Sequence, residues 1–327
     1  MKSFLIRVLI FSVPIILFIG LYIFFDPYRV IFDYEDYTKG AFIGVDRDYV
    51  SHEQVKKGIK KYNYNSFILG SSRMLAYRTQ EWKKYLNKED EPALYNAYGE
   101  TIYGIWAKLN WLNENKHTIQ NVIIGIDKDH TFKEPDLNRL HYDYTPYSYL
   151  EFQSEMFLGF SKKVWLPYYD YMFFHKERNY MKGKIDFRVK EYYTPKGNDM
   201  VLNYTDSLLQ YDSLHYYQDM IESGHSKRNK IEHNKDIITK EYIEYLDKIK
   251  KILIDNNTNY SVVINPQYSQ EVFTHRDLEI LNTIFGKDHI YNYSGKNEIT
   301  DNFMNYYEES HFKPYVGAKI LKEIYSK

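Results

Sequence analysis

Two short segments far apart in the chain carry residue types suited to acyl transfer. One is Gly70-Ser71-Ser72-Arg73, which follows directly on the apolar run Ser66–Leu69. A serine at a strand-to-helix turn projects its hydroxyl into the crevice at the carboxyl edge of a parallel sheet. Its own N–H there faces a developing oxyanion near a helix N-terminus. Gly70 permits the tight turn. The competing reading is that Ser71 and Ser72 only cap the following helix. The other segment is Glu308-Glu309-Ser310-His311-Phe312, just before a final helix that Pro314 would start. A neutral imidazole at His311 can take the Ser72 proton, and the Glu308 carboxylate can hold its tautomer and stabilise the imidazolium.

Three further loops fall at the same expected edge. Asn96-Ala97-Tyr98-Gly99 follows a second apolar run, and Asn96 and the Gly99 N–H are candidate oxyanion donors. Asp127-Lys128-Asp129-His130 follows a third run, where Asp127 is read as orienting Arg73 or another loop. Asn265-Pro266-Gln267 follows the fourth. Asp127, Asp129 and His130 are also a conceivable metal site. Ligands so close in sequence rarely converge on one ion without others, so ordinary loop polarity is preferred. No metal or cofactor is expected.

The elements that must bring these loops together are legible as alternation. Apolar runs at Ser66–Leu69, Ala93–Asn96, Val122–Ile126, Ser261–Ile264 and His289–Tyr291 read as strands buried on both faces. Helical stretches at Thr79–Leu86, Ile102–Asn115, Lys240–Asp255, Gln270–Phe285 and Tyr315–Tyr325 lie among them. The pattern predicts an α/β fold: a five-stranded parallel sheet between two layers of helices, over residues 65–327. It breaks between about 131 and 236. That Tyr-rich stretch has turn signals at Glu134-Pro135, Thr145-Pro146, Leu166-Pro167 and Thr194-Pro195-Lys196-Gly197, and is read as a subdomain inserted over the carboxyl edge. Its basic end, Ser226–His233, reads as a solvated loop.

Ahead of the domain, Val8 to Phe25 is an uncharged apolar run of 18 residues. As a helix it rises roughly 27 Å, enough for a bilayer core. Residues 1–25 are read as a transmembrane anchor, and 26–64 as a stalk and lead-in segment. Lys2 and Arg7 place the N-terminus in the cytoplasm and the domain outside. A cleaved signal peptide would end in small residues, whereas this run ends Tyr-Ile-Phe-Phe-Asp-Pro.

Composition bounds the partners. A formal net charge of −1 over 327 residues offers no electrostatic attraction to nucleic acid. With 0 cysteines there is neither a disulfide framework nor a thiolate metal site. The 36 tyrosines fit either a general compositional bias or a surface that stacks on sugar rings.

Gly70-Ser71-Ser72 resembles the first block of the SGNH/GDSL hydrolases, with Ser72 at the nucleophile position. Asn96–Gly99 resembles the second, glycine-bearing block, and Glu308–His311 matches the spacing of the closing Asp-x-x-His block. Asp26-Pro27-Tyr28, the Gly-Ser-Ser-Arg turn and the run from Tyr293 to Phe312 are similar to the membrane-anchored SGNH-like proteins that accompany membrane-bound O-acyltransferases in envelope modification. The resemblance covers the anchor and the sheet. It implies an SGNH/flavodoxin-like fold and a serine esterase or O-acyltransferase acting on a cell-envelope polysaccharide. It also implies a multi-span acyltransferase as a possible partner, or a non-catalytic role beside one. Two departures stand out: Glu308 replaces the family's Asp, and Asp127 stands where an oxyanion-binding Asn belongs.

Overall fold

The computed structural model describes residues 2–38, 46–174, 192–201, 209, 213–218, 221–222, 228 and 235–326. Helix α1 (Lys2–Phe25) contains Pro14 and includes a 20-residue stretch, Ile6–Phe25, that is the one helix among the described residues long and apolar enough to cross a membrane. The segment after it is folded rather than a stalk. The buried Asp26 carboxylate accepts hydrogen bonds from the N–H groups of Val30 and Ile31 at 2.9 Å and Phe32 at 3.1 Å, wrapping the chain around itself. Helix α2 (Arg47–Tyr62) follows, capped by Asp46 and ended by a left-handed Asn63. The lead-in reading of 26–64 thus contains a packed helix. Its buried positions mix Tyr49, Val50 and Val55 with Arg47, Asp48, Ser51, His52 and Gln54, so no clean apolar stripe announces it.

The sheet consists of β1 (Tyr64–Leu69), β2 (Glu91–Leu94), β3 (Asn121–Ile126), β6 (Asn259–Ile264) and β7 (Ile290–Asn292). All pairings are parallel and the order is β2-β1-β3-β6-β7. Chain direction across the sheet reverses between β1 and β3, which opens a crevice at their carboxyl ends. Strand side chains alternate between two apolar clusters. Phe67, Leu69, Val122, Ile124, Val262 and Ile264 join one, with helices α4 (Ile102–Glu114), α6 (Lys240–Asp255) and α7 (His275–Phe285). Ile68, Ile123 and Val263 join the other, with Trp82 of the short α3 (Thr79–Lys83) and the last helix. Both faces of each central strand are therefore removed from water, as continuous apolar runs require.

Boundaries differ modestly from expectation. Strand β2 lies two residues earlier than Ala93–Asn96, α3 stops at Lys83, and α7 begins at His275 because Thr274 caps it. Helix α5 (Tyr149–Phe174) runs through the turn expected at Leu166-Pro167. The inserted stretch also supplies the small hairpin β4 (Tyr192–Tyr193) and β5 (Met200–Val201). Its turn docks on the end of β2, where Leu94 N–H donates to the Gly197 carbonyl at 2.8 Å. The basic loop Ser226–His233 lies outside the described residues except Arg228, whose Nε donates to the Tyr268 carbonyl at 2.9 Å. Many tyrosines, among them Tyr37, Tyr64, Tyr77, Tyr95, Tyr193 and Tyr306, are core residues rather than surface platforms.

The chain closes with the four-residue helix α8 (Glu298–Asp301), the hairpin β8 (Tyr306–Glu308) and β9 (His311–Phe312), and α9, which begins at Pro314 and ends at Tyr325. Helix α9 packs directly on the turn after β1. A Cβ on Gly317 would stand 2.3 Å from the Ala76 carbonyl oxygen, a backbone atom that cannot step aside. Gly317→Ala should therefore destabilise the fold by about 1–3 kcal/mol through overpacking. A chemical-denaturation midpoint equal to wild type would refute that close approach.

Candidate active site

Strand β1 delivers the chain to Gly70, whose φ of +134° is available to glycine and where a Cβ would stand 2.8 Å from the Gly125 carbonyl of β3. The next residues form a 3-10 turn, Ser72–Ala76, capped by Ser71, whose Oγ accepts from Arg73 N–H at 3.2 Å. Capping and candidate nucleophile are thus divided between the two serines. Ser71 faces the backbone and the buried Asp127 carboxylate, to which its hydroxyl donates. Ser72, half-buried, is the first residue of the turn itself.

His311 reaches it from the other end of the chain. Its Nε2 lies 2.9 Å from Ser72 Oγ, and its Nδ1 is hydrogen-bonded to Glu308 Oε1. Glu308 and His311 face each other across the β8–β9 hairpin, separated only by the turn Glu309-Ser310. That pairing, with a bulge between Tyr306 and Glu308, brings the longer glutamate side chain into reach. Partial burial works to raise the Glu308 carboxyl, but the bond to His311, its charge and the Ser310 N–H outweigh it and hold it below the ordinary range. Glu308 therefore stays ionised, as a group that orients an imidazole must.

Arg73 ties the two ends together. Its guanidinium grips Asp129 through two parallel bonds of 2.7 and 2.8 Å and lies 3.4 Å from Asp127. Its Nε donates to the Ser310 carbonyl at 3.0 Å, one residue from His311. Burial alone would lower the Arg73 pKa, but the two carboxylates raise it, so the charge is firmly held. The same bonds pull Asp129 below the usual carboxylate range against the effect of burial. Asn265, at the end of β6, donates to Asp127 at 3.0 Å and accepts from Tyr77 OH, while Gln267 donates to Asp129 at 2.6 Å. Asp127 and Asp129 thus embrace an arginine, with His130 Nε2 3.3 Å from Asp129.

The expected oxyanion donors are placed differently. Asn96 is fully buried; Arg47 Nε and Nη2 donate to its Oδ1 at 2.9 and 2.7 Å, and one of its amide N–H bonds goes to the Ser71 carbonyl at 3.2 Å. It props the turn rather than pointing freely into the crevice. Gly99, at φ +62°, is exposed and lines a neighbouring cavity of about 190 Å³ with Arg47, Asp48 and Glu100. Arg47 was not legible as a site residue, because it sits on the polar helix α2. The inserted stretch also touches the site: Tyr216 OH donates to the Tyr307 carbonyl at 2.6 Å, beside Glu308.

A second polar cluster, His52, His141 and Asp143, has ligand types suited to a metal. Three of its four ring nitrogens are hydrogen-bonded. His52 Nδ1 meets Tyr95 OH at 2.6 Å and its Nε2 meets Asp143 at 3.0 Å. His141 Nδ1 accepts the Asp143 N–H at 3.1 Å, its Nε2 lies 3.3 Å from Glu53, and Lys56 already neutralises Asp143 at 2.7 Å. Only His141 Nε2, buried beside Glu53, is left without a hydrogen bond among these atoms. Burial, then the neighbouring His141, push the His52 pKa down to about 4, against the pull of Asp143. The unfolded chain protonates near 6.5, so it binds the extra proton first as pH falls. The His52 contribution to stability should be level above about pH 6.5 and decline toward pH 4. His52→Gln should flatten that decline, and denaturation midpoints with the same pH profile in both proteins would contradict it.

No protein-family model matches this chain, and no curated protein matches it significantly.

Proposed function

We propose that the chain is a membrane-anchored SGNH-type serine O-acyltransferase or esterase whose domain lies outside the cytoplasmic membrane and acts on acyl groups of a cell-envelope polysaccharide. The observation that carries the reading is the line Ser72 Oγ–His311 Nε2–Glu308, assembled at the carboxyl edge of a five-stranded parallel sheet from residues 239 positions apart. Helices on both faces and the order β2-β1-β3-β6-β7 support a three-layer, flavodoxin-like SGNH fold. The apolar helix α1, preceded by Lys2 and Arg7, supports the anchor and its orientation.

In this reading Ser72 Oγ attacks the acyl carbonyl as His311 Nε2 takes its proton. The Ser72 N–H, at the start of its 3-10 turn, donates to the oxyanion. The intermediate collapses as His311 returns the proton to the departing oxygen, leaving acyl-Ser72. A glycan hydroxyl, or water, then gives its proton to His311 and takes the acyl group, and His311 returns that proton to Ser72 Oγ as the acyl–serine bond breaks. Glu308 keeps Nδ1 protonated throughout. An activated-serine probe tests this: it should label wild type and not Ser72→Ala.

A second reading, a non-catalytic SGNH-fold partner of a membrane-bound O-acyltransferase, is favoured by one observation. Asp127 is a carboxylate engaged with Ser71, Asn265 and Arg73, not an amide free to donate to an oxyanion. Failure of the probe to label folded wild type would select it.

A further inference from the structure

Helix α5 does not stay with the sheet. It starts beside the folded segment after α1, where Phe152 stacks on Tyr49 at 5.3 Å and Gln153 donates to the Val30 carbonyl at 2.6 Å. One to two turns on, Phe157 and Phe160 each meet Tyr22 of α1 with ring centroids 5.1 Å apart. The same two rings and Trp165 then surround Phe18, at 5.7, 5.5 and 5.4 Å. Successive residues of α5 thus contact progressively earlier residues of α1, and the two helices run antiparallel.

Phe18 lies seven residues inside the outer end of the apolar stretch Ile6–Phe25, a depth of about 10 Å along the helix. Whatever surrounds Phe18 shares its surroundings. Helix α5 also continues to Phe174, nine residues beyond Trp165, or about 13 Å further along its axis. Beside its contacts with α1 it presents Leu158 and Trp165, which remain 48% and 56% exposed. They are seven residues apart and so share one face, with the long side chain of Lys162 between them free to carry its ammonium toward the interface. Lys163 behaves as a cation does beside hydrocarbon: its ammonium turns back 5.1 Å from the ring centroid of Tyr28, beyond the end of the span.

We propose that α5 enters the bilayer alongside α1, with Leu158 and Trp165 buried among lipid acyl chains, so that a two-helix foot rather than a single flexible tether holds the domain. The proposal rests on α1 crossing the membrane. It does not depend on the chemistry of Ser72. Two helices joined by an aromatic cluster fix tilt and height as well as attachment, so the Ser72 crevice is presented at one distance from the membrane surface.

The absence of cysteine makes the test direct. Single variants Leu17→Cys, Leu158→Cys, Trp165→Cys and Gln80→Cys of the full chain, nitroxide-labelled and placed in phospholipid nanodiscs, report collisions with oxygen and with a water-soluble nickel chelate. Oxygen collisions should dominate at 17, 158 and 165, and the nickel chelate at the exposed domain residue 80. Residue 17 in lipid with 158 and 165 in water overturns the proposal while leaving the anchor intact. Residue 17 itself in water removes the anchor, and the proposal with it. Labels at 158 and 165 shielded from both reagents indicate protein contact and also overturn it. Because Trp165 packs on Phe18, Leu158→Cys keeps the result decisive if Trp165→Cys perturbs the helix pair.

Discussion

Ser72→Ala should remove labelling by an activated-serine probe and lower acyl transfer or ester hydrolysis by at least about 10⁴-fold, with the fold unchanged. The expectation of an intact fold comes from the division of labour at the turn. Ser71, not Ser72, caps it and donates to Asp127, and the partner of Ser72 Oγ is His311 at 2.9 Å, a bond made at the half-exposed rim. Deleting that hydroxyl leaves no buried group unsatisfied. Thermal unfolding of Ser72→Ala should coincide with wild type while labelling disappears. His311→Gln should lose labelling as well, since the neutral amide takes no proton. Wild-type labelling in Ser72→Ala would show that another nucleophile is at work and would end the reading.

Arg73→Met should have the largest effect on stability. The guanidinium is buried against Asp127, itself fully buried, and grips Asp129 through two bonds. Removing one partner of a buried ion pair strands the other, at a cost of about 3–5 kcal/mol. The unfolding temperature should fall on the order of 10 °C. The loss should also reach the chemistry, because the Ser310 carbonyl forfeits its donor and the hairpin carrying His311 is freed. A shift of about 1 Å at His311 is enough to slow probe labelling roughly 10²-fold. Arg73→Lys keeps the charge and should recover part of the stability. It should recover little of the labelling rate, since an ammonium cannot span Asp129 and Ser310 together. In Arg73→Met/Asp127→Asn the stranded carboxylate is gone, so stability should return in part while labelling remains slow. Arg73→Met with both unfolding and labelling at wild-type values would show that the arginine holds nothing in place.

The sheet was legible because its strands are short apolar runs, and burial on both faces demands that pattern. Ile123 and Ile124 point to opposite clusters and both must be apolar. Helix α2 was not legible, because Arg47, Asp48, Ser51, His52 and Gln54 share its buried positions with Tyr49, Val50 and Val55, and Arg47, Ser51 and His52 bond to Asn96, the Leu94 carbonyl, Tyr95 and Asp143. Hydropathy reports a stripe against an apolar core and is silent about one against a polar network. Asn96 shows the same limit at the site: its type suits an oxyanion donor, but Arg47, nearly fifty residues away, fixes where its amide points.

Local order alone determined the apolar N-terminal helix, the turn at Gly70 and the start of α9 at Pro314, since each depends on side-chain polarity or backbone freedom within a few residues. Only the tertiary structure decided that Ser72 meets His311, that Glu308 reaches its imidazole across a hairpin, and that one arginine clamps both loops. Those contacts join residues more than two hundred positions apart or turn on hairpin pairing, and they exist because parallel strands bring their carboxyl ends to one rim, a consequence of packing that no short stretch of chain encodes.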